Sequence, residues 1–239
     1  MPVVSIDLAY KNYRDIGVAV LAHANESVTA RFIRVPLTGE PKVDVLAEYL
    51  ATLASVERAD LMLIDGPQAW KGPNNGLEHS RVCERALNTP AKTGLPGRVK
   101  PANYQPFVAF SIQLFDELTR LGWARLMARE RPRSSTAMES FPLSAWRTLG
   151  LSPLPAKAKT SPATLAEKFT ALRASYPIAV SSQPNHDELQ ALVSGLAGLG
   201  LEDGKPCDVS FAGEAPFLLD GSYREGFIVN PCNTRGVGR

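Results

Sequence analysis

The sequence predicts a mixed α/β fold, in which a sheet opens as an antiparallel meander and then alternates with helices. Three observations carry this reading. Short β-branched runs come first, at Val3 to Leu8, Asp15 to Ala24 and Ser27 to Val35. A continuous apolar run, Leu61-Met62-Leu63-Ile64, then has the character of a strand buried on both faces. After it, amphipathic stretches and short strands follow one another. The 239 residues are 44% hydrophobic and 21% charged. Such a chain can bury one large core, so a single domain over 1–239 with one long insertion is expected.

Each element has a local reason. The first three strands are too short and too β-branched for helices, and Asn25-Glu26 suits a tight turn between the second and third. From Pro41 to Ser55, Val45, Leu46, Tyr49, Leu50 and Leu53 recur at helical spacing. The fourth strand stops at Asp65-Gly66-Pro67. Gly66 to Pro106 holds eleven Gly and Pro residues and six Lys/Arg against two Glu, an insertion of functional or mobile character with a short helix near Glu78 to Leu87. Pro106 to Met127 reads as a long helix with Phe107, Phe110, Leu114, Leu118 and Leu121 on one face. An exposed face of that helix suits a homodimer. Arg120, Arg125, Arg129, Arg131 and Arg133 mark its C-terminus and a solvated loop. Thr136 to Phe141 is a strand ended by Pro142, helices follow at about Ala163 to Ser175 and Asn185 to Leu199, and Phe227-Ile228-Val229 is a last short strand before a loose tail beyond Pro231.

Composition excludes several classes. Lys+Arg is 26 and Asp+Glu is 24, so the net charge is only +2 and a wholly basic nucleic-acid-coating protein is ruled out. Cys83, Cys207 and Cys232 are odd in number with no close pair, which points to reduced thiols and a cytoplasmic location. The first residues lack the basic and apolar regions of a signal peptide. No apolar run reaches the roughly 20 residues of a membrane span. There is no Gly-x-Ser-x-Gly elbow, Walker loop or dinucleotide fingerprint.

Four acids occupy special places: Asp7 in the first strand, Asp65 ending the fourth, Glu139 in the fifth and Asp187 in the first turn of the late helix. A carboxylate in or beside an apolar strand is unfavourable unless paired, hydrogen-bonded or bound to metal. If strands one and four are neighbours, Asp7 and Asp65 converge, and a divalent cation relieves their repulsion. Singly, each acid also has a structural explanation. Asp65-Gly66-Pro67 is an ordinary turn sequence. Asp187 suits a helix start capped by Asn185, with Glu188 in the capping-box position. His186 adjoins Asp187 and would cap or tune it.

The ordered set Asp7, Ile64-Asp65-Gly66-Pro67, Arg81-x-Cys83-Glu84-Arg85, Glu139-x-Phe141-Pro142, Asp187-x-x-x-Ala191-Leu192 and Gly226-Phe227-Ile228 resembles the domain-of-unknown-function family 429, described as predicted nucleases with an RNase H-like fold. The resemblance spans about Val3 to Pro231. It implies a five-stranded mixed sheet, first three strands antiparallel, flanked by helices, with the Gly/Pro-rich insertion after the fourth strand. It also implies a metal-dependent nuclease in which Asp7, Asp65 and Asp187 hold Mg²⁺ or Mn²⁺ and Glu139 is a further catalytic acid. Phosphodiester hydrolysis by an activated water on nucleic acid, or on another phosphoester, is the corresponding activity. Gln190 departs from the family, whose members often carry a second acid there. Arg81 and Arg85, four apart, would share one helix face. With Lys11 they are the candidate phosphate-binding residues, and Lys71, Lys92, Arg98 and Lys100 would complete a basic lid in which Trp70, Tyr104 and Phe107 stack on bases.

Two other functions compete. A non-catalytic module with the same fold and no metals is favoured by Gln190. An ATP-binding kinase-like protein is disfavoured, because Leu8-Ala9-Tyr10-Lys11-Asn12 lacks the glycine of a phosphate loop and 239 residues are short for two lobes.

Overall fold

A computed structural model describes residues 1–24, 27–202 and 209–232. The Asn25-Glu26 turn, Cys207 and the tail beyond residue 232 lie outside the described residues.

Strands β1 (Val3–Asp7), β2 (Gly17–Ala24) and β3 (Ser27–Phe32) form the antiparallel meander. Helix α1 (Val43–Glu57) crosses over, and β4 (Leu61–Asp65) pairs in parallel with β1. The register runs from Val3 opposite Leu61 to Asp7 opposite Asp65. The insertion follows, with one short helix, α2 (Val82–Leu87), and leads into α3 (Gln105–Arg120). Next come β5 (Ala124–Arg125), β6 (Thr136–Ser140), α4 (Pro142–Thr148), α5 (Pro162–Ser175), β7 (Ile178–Val180), α6 (His186–Glu202), β8 (Val209–Leu219) and β9 (Ser222–Pro231).

The sheet has nine strands among the described residues, where the residues themselves predict six and the family resemblance implies five. Its order is β7-β3-β2-β1-β4-β6-β9-β8, with β5 alongside β6. The additional strands are short or irregular. β5 has two residues, β7 has three, and β8 carries Gly213, Pro216 and a register shift between Glu214 and Phe217, so none shows a clean apolar alternation.

The expected helix to Met127 is also corrected. α3 ends at Arg120, and Gly122 at φ +94° turns the chain back toward the sheet. Arg125 then enters β5 rather than a solvated loop. Its guanidinium is buried, bonds Asp116 (2.7 Å) and Thr119 (2.8 Å), and lies 4.0 Å from the centre of the Tyr223 ring. The apolar residues of α3 are taken up by two clusters, one shared with α1 and the sheet, the other with Val99 and the half-buried Trp70 and Tyr104.

Two cores flank the sheet. α1 and α3 cover one face with Leu46, Leu50, Leu114 and Phe115 against Ile6, Met62 and Ile64. On the other face lie α4, α5 and α6, with Trp146, Phe169, Leu192 and Leu196 against Val3, Leu21 and Leu63. The small residues of α6 let it lie very close to the strands. A Cβ at Gly195 would meet Leu21 and Ser5, one at Gly198 would meet Val3 and Leu63, and one at Gly17 would strike the backbone carbonyl of Asp187. These contacts bring the N-terminus of α6 down onto β2, beside Asp7, whose register partner is Gly17. Overpacking at such a position typically costs about 1–3 kcal/mol. Gly195→Ala is expected to lower the midpoint of thermal unfolding by several degrees, since about 2–4 °C is lost per kcal/mol at this chain length.

Candidate metal centre and cavity

The centre begins with strand pairing. Asp7 and Asp65 end two adjacent parallel strands in register, so the pleat turns both toward the same face, the one covered by α6. Val3, Ser5 and Leu63 on that face touch the α6 glycines. Asn185 and Glu188 form a reciprocal capping box at the start of α6, at 2.7 and 2.9 Å, which sets the orientation of its first turn. Asp187 is thereby brought to Asp7. One ligand atom each from Asp7, His186 and Asp187 lie within 4.8 Å of one another.

Burial, then the Asp65 and Asp187 charges, raise the Asp7 carboxyl well above the ordinary carboxylate range. Asp65 is pushed up to about 7 by burial, with the Glu139 charge adding to the shift. The pair therefore retains a proton near neutrality in the absence of a cation. Asp187 behaves differently. Against the effect of burial, His186 and Lys157 hold its carboxyl below the usual range. Lys157 Nζ is 2.5 Å from Asp187 and 3.0 Å from Asp15. His186 Nε2 donates to the Pro155 carbonyl at 2.9 Å, which aims Nδ1 at Asp187, 3.1 Å away.

These donors fit a hard divalent cation. Asp7 meets Asp65 across the strand pair and meets Asp187 and His186 across the α6 contact, Asp65 lying outside the close three-residue group, and a backbone carbonyl orients the imidazole as it does in many metal sites. Lys157 is a competitor for Asp187, since its ammonium already neutralises that oxygen. Gln190 takes no part. Its side-chain oxygen accepts from the Trp146 indole at 2.9 Å.

Glu139 lies outside the Asp7, His186 and Asp187 group, although its charge reaches Asp65. Its register partner is Ile64, one residue before Asp65, so strand alternation turns it away from the α6 face. Arg81 holds both its oxygens, at 2.7 and 2.6 Å, and the Gln68 amide donates to it at 3.0 Å. Burial raises its carboxyl, and Arg81 pulls it back. Arg81 also bonds Glu84 at 3.0 Å and is 1% exposed. It is the N-cap of α2, while Arg85 is exposed one turn later, so the two do not share a helix face.

The basic lid is divided: Lys71 and Arg81 are buried and Lys92 is half-buried, while Arg85, Arg98 and Lys100 are exposed. Lys71 is buried and donates to the Gly72 carbonyl at 2.7 Å, Lys92 donates to the Thr89 carbonyl at 2.5 Å, and Lys100 contacts His79. The insertion is pinned by a residue without a sequence signal, Glu225, left-handed at φ 58°. Its buried carboxylate accepts from the Gly72 amide (2.7 Å), the Asn75 side chain (2.7 Å) and the Val82 amide (2.9 Å). Gly66 is required where the chain leaves β4, because a Cβ there would collide with Ser111 on α3.

A cavity of about 530 Å³ opens beside the acids. Asp65 and Glu139 lie at its polar end, Lys11 at its rim, and Tyr10, Tyr104, Phe107 and Phe141 form much of its wall. Arg85 and Trp70 are not part of it.

No protein-family model matches the chain. No curated protein matches it. Among solved structures, a RuvC from Thermus thermophilus is similar at 10% identity, covering 85% of this chain and 97% of that one, with a TM-score of 0.43. Among the described residues, no helix is long and apolar enough to cross a membrane.

The raised carboxyls set a pH dependence. A folded-state value of about 7 against 3.8 means that the folded chain binds the extra proton. Stability from this group is therefore greatest at low pH and declines as pH rises from about 4 to 7. With solvent reaching the cavity mouth, the loss is on the order of 1–3 kcal/mol. In chelator, Asp65→Asn is expected to melt higher than the parent chain at pH 8 and to lose that advantage at pH 4, as measured by thermal denaturation.

Proposed function

We propose that this chain is a metal-dependent phosphodiesterase of nuclease type, with Asp7, Asp65 and Asp187 holding Mg²⁺ or Mn²⁺. The observation that carries this reading is the in-register meeting of Asp7 and Asp65 at the ends of two parallel strands. Arg81 neutralises Glu139, whereas Asp65, also raised by burial, has no ion-pair partner among the described residues. A cation bound there would supply the positive charge that lowers the pKa of a water and stabilises the leaving oxygen. The chain's own residues do the rest. His186, fixed through its Nε2 bond to Pro155, presents Nδ1 to the centre as a ligand or proton carrier. Lys157, bridging Asp15 and Asp187, is the mobile counter-ion that leaves Asp187 when a cation arrives. Glu139 acts as a positioning residue. Through Arg81 and Gln68 it fixes the insertion over the strand ends. Lys11 and Arg85 remain the exposed cations available to substrate phosphates, the substrate being a nucleic acid or a smaller phosphoester.

The Lys157–Asp187 ion pair also favours a second reading, a binding or scaffold module in which Lys157 and Arg81 are permanent counter-ions. Calorimetry with Mn²⁺ separates the two. The enzyme reading expects saturable binding at micromolar to millimolar concentration, lost in Asp7→Asn together with cleavage, and the fold retained by circular dichroism. Cleavage persisting in Asp7→Asn refutes the ligand assignment, and absence of Mn²⁺ binding by the parent chain supports the scaffold. Lys157→Met removes the competing ammonium and is expected to tighten Mn²⁺ binding severalfold in the same measurement.

A further inference from the structure

We propose that the cavity beside the acids is a pocket for a single unpaired nucleobase, so that the substrate is presented as one splayed nucleotide and not as a duplex. The proposal deepens the phosphodiesterase reading and rests on it only for the chemistry at the acids, not for the binding of the base.

Size is the first consideration. About 530 Å³ lies within the roughly 300–1,000 Å³ range of small-ligand pockets, and it accommodates one nucleotide unit rather than the width of a double helix. The walls are the second. Tyr10 and Phe107 pack on each other with ring centres 6.2 Å apart at a 55° interplanar angle, and Tyr104 and Phe141 also line the cavity, so four aromatic rings are available to a flat guest. Pro90 and Ala91 of the insertion add apolar wall without donors. An aromatic lining is sequence-tolerant toward bases, each of which has a π face.

The polar groups form the third consideration. Ser140 lines this cavity, and its buried Oγ has no hydrogen-bond partner among the described residues. It follows Glu139 directly and pairs with Asp65 across the sheet, so it lies where the pocket meets the acids. A buried hydroxyl without a partner is unfavourable, and a ring nitrogen or exocyclic oxygen of a base would satisfy it. The distribution of cations is the fourth. Duplex binding depends on an array of free Lys and Arg side chains along the phosphates. Of the two cations that line the cavity, Arg81 is committed to Glu139, and Lys11 is exposed. One exposed cation beside an aromatic-lined cavity suits one phosphate and one base.

The source of the nucleotide, a small dinucleotide or the end of a single strand, is separated by the choice of probe. Quenching of 2-aminopurine fluorescence reports stacking directly. The probes are the 2-aminopurine nucleoside in chelator, a dinucleotide and a single-stranded decamer carrying it at one end with Mn²⁺, and the same decamer in a blunt duplex. Saturable quenching is expected with the nucleoside and at least one single-stranded probe, and much weaker binding with the duplex. Phe107→Leu retains apolar bulk without a ring face, and Tyr104→Leu does the same at a second lining position. At least one is expected to weaken nucleoside binding about tenfold, the scale of one lost stacking contact, with an unchanged melting temperature as the control for folding. Dibutyl phosphate, which has no ring, should not compete with the nucleoside. The proposal is overturned if the nucleoside does not bind, if the duplex binds as well as the single strand, if dibutyl phosphate competes, or if both variants bind as the parent does. Nucleoside binding without any Mn²⁺ binding would leave the pocket standing and remove the phosphodiesterase reading. Mn²⁺ binding without nucleoside binding would do the reverse.

Discussion

Side-by-side placement of two carboxylates at the ends of β1 and β4 is the constraint on which the rest of the centre depends. Parallel strands in register present like positions to the same face. Asp7 and Asp65 therefore have no means of avoiding one another short of unpairing the strands. Burial sharpens their repulsion, and both groups rise toward the neutral form. Everything nearby can be described by how it responds to this stored charge.

The responses differ from acid to acid. Asp187 is neutralised by a lysine on a neighbouring connection and by the adjacent imidazole. Glu139 is neutralised by a buried arginine from the insertion. A buried arginine–carboxylate pair contributes little net stability and depends on good geometry, and here both oxygens and three guanidinium nitrogens of Arg81 are engaged with Glu139 and Glu84. The pair thus serves position more than stability. It ties a segment rich in glycine and proline to the end of β6. The fold keeps fixed counter-ions for the acid that organises the roof of the cavity, an exchangeable one for Asp187, and a shared proton for the pair at the strand ends.

Much of the sheet was legible in the residues, because its signals are local. The β-branched runs of β1 to β3 and the apolar run Leu61 to Ile64 leave little choice of conformation, and they place Asp7 and Asp65 at corresponding strand positions. The Asn185–Glu188 capping box was legible for the same reason. What was not legible depends on distant partners. Arg125 looks like one of several solvated arginines until Asp116 and Tyr223 are folded around it. Arg81 and Arg85 share a spacing but not an environment. Glu139 belongs with the other acids by sequence order, yet the two-residue period of the strand turns it to the opposite face. Glu225 and Lys157 carry no motif, and their roles arise only from which amides and carboxylates surround them. β5, β7 and β8 were hidden because short strands borrow their stability from neighbours.

The anchoring of the insertion by Glu225 bears on the order of events during synthesis. Its partners Gly72, Asn75 and Val82 leave the ribosome some 150 residues before it does, and Asp7 and Asp65 likewise emerge more than a hundred residues before Asp187. Domains emerging N-terminus first must wait for their last-made parts. Until α6 and β9 emerge, Asp187 is missing from beside the strand-end acids and the insertion is not pinned. The acidic site and the segment that covers it are therefore completed together, by late-made elements of the chain.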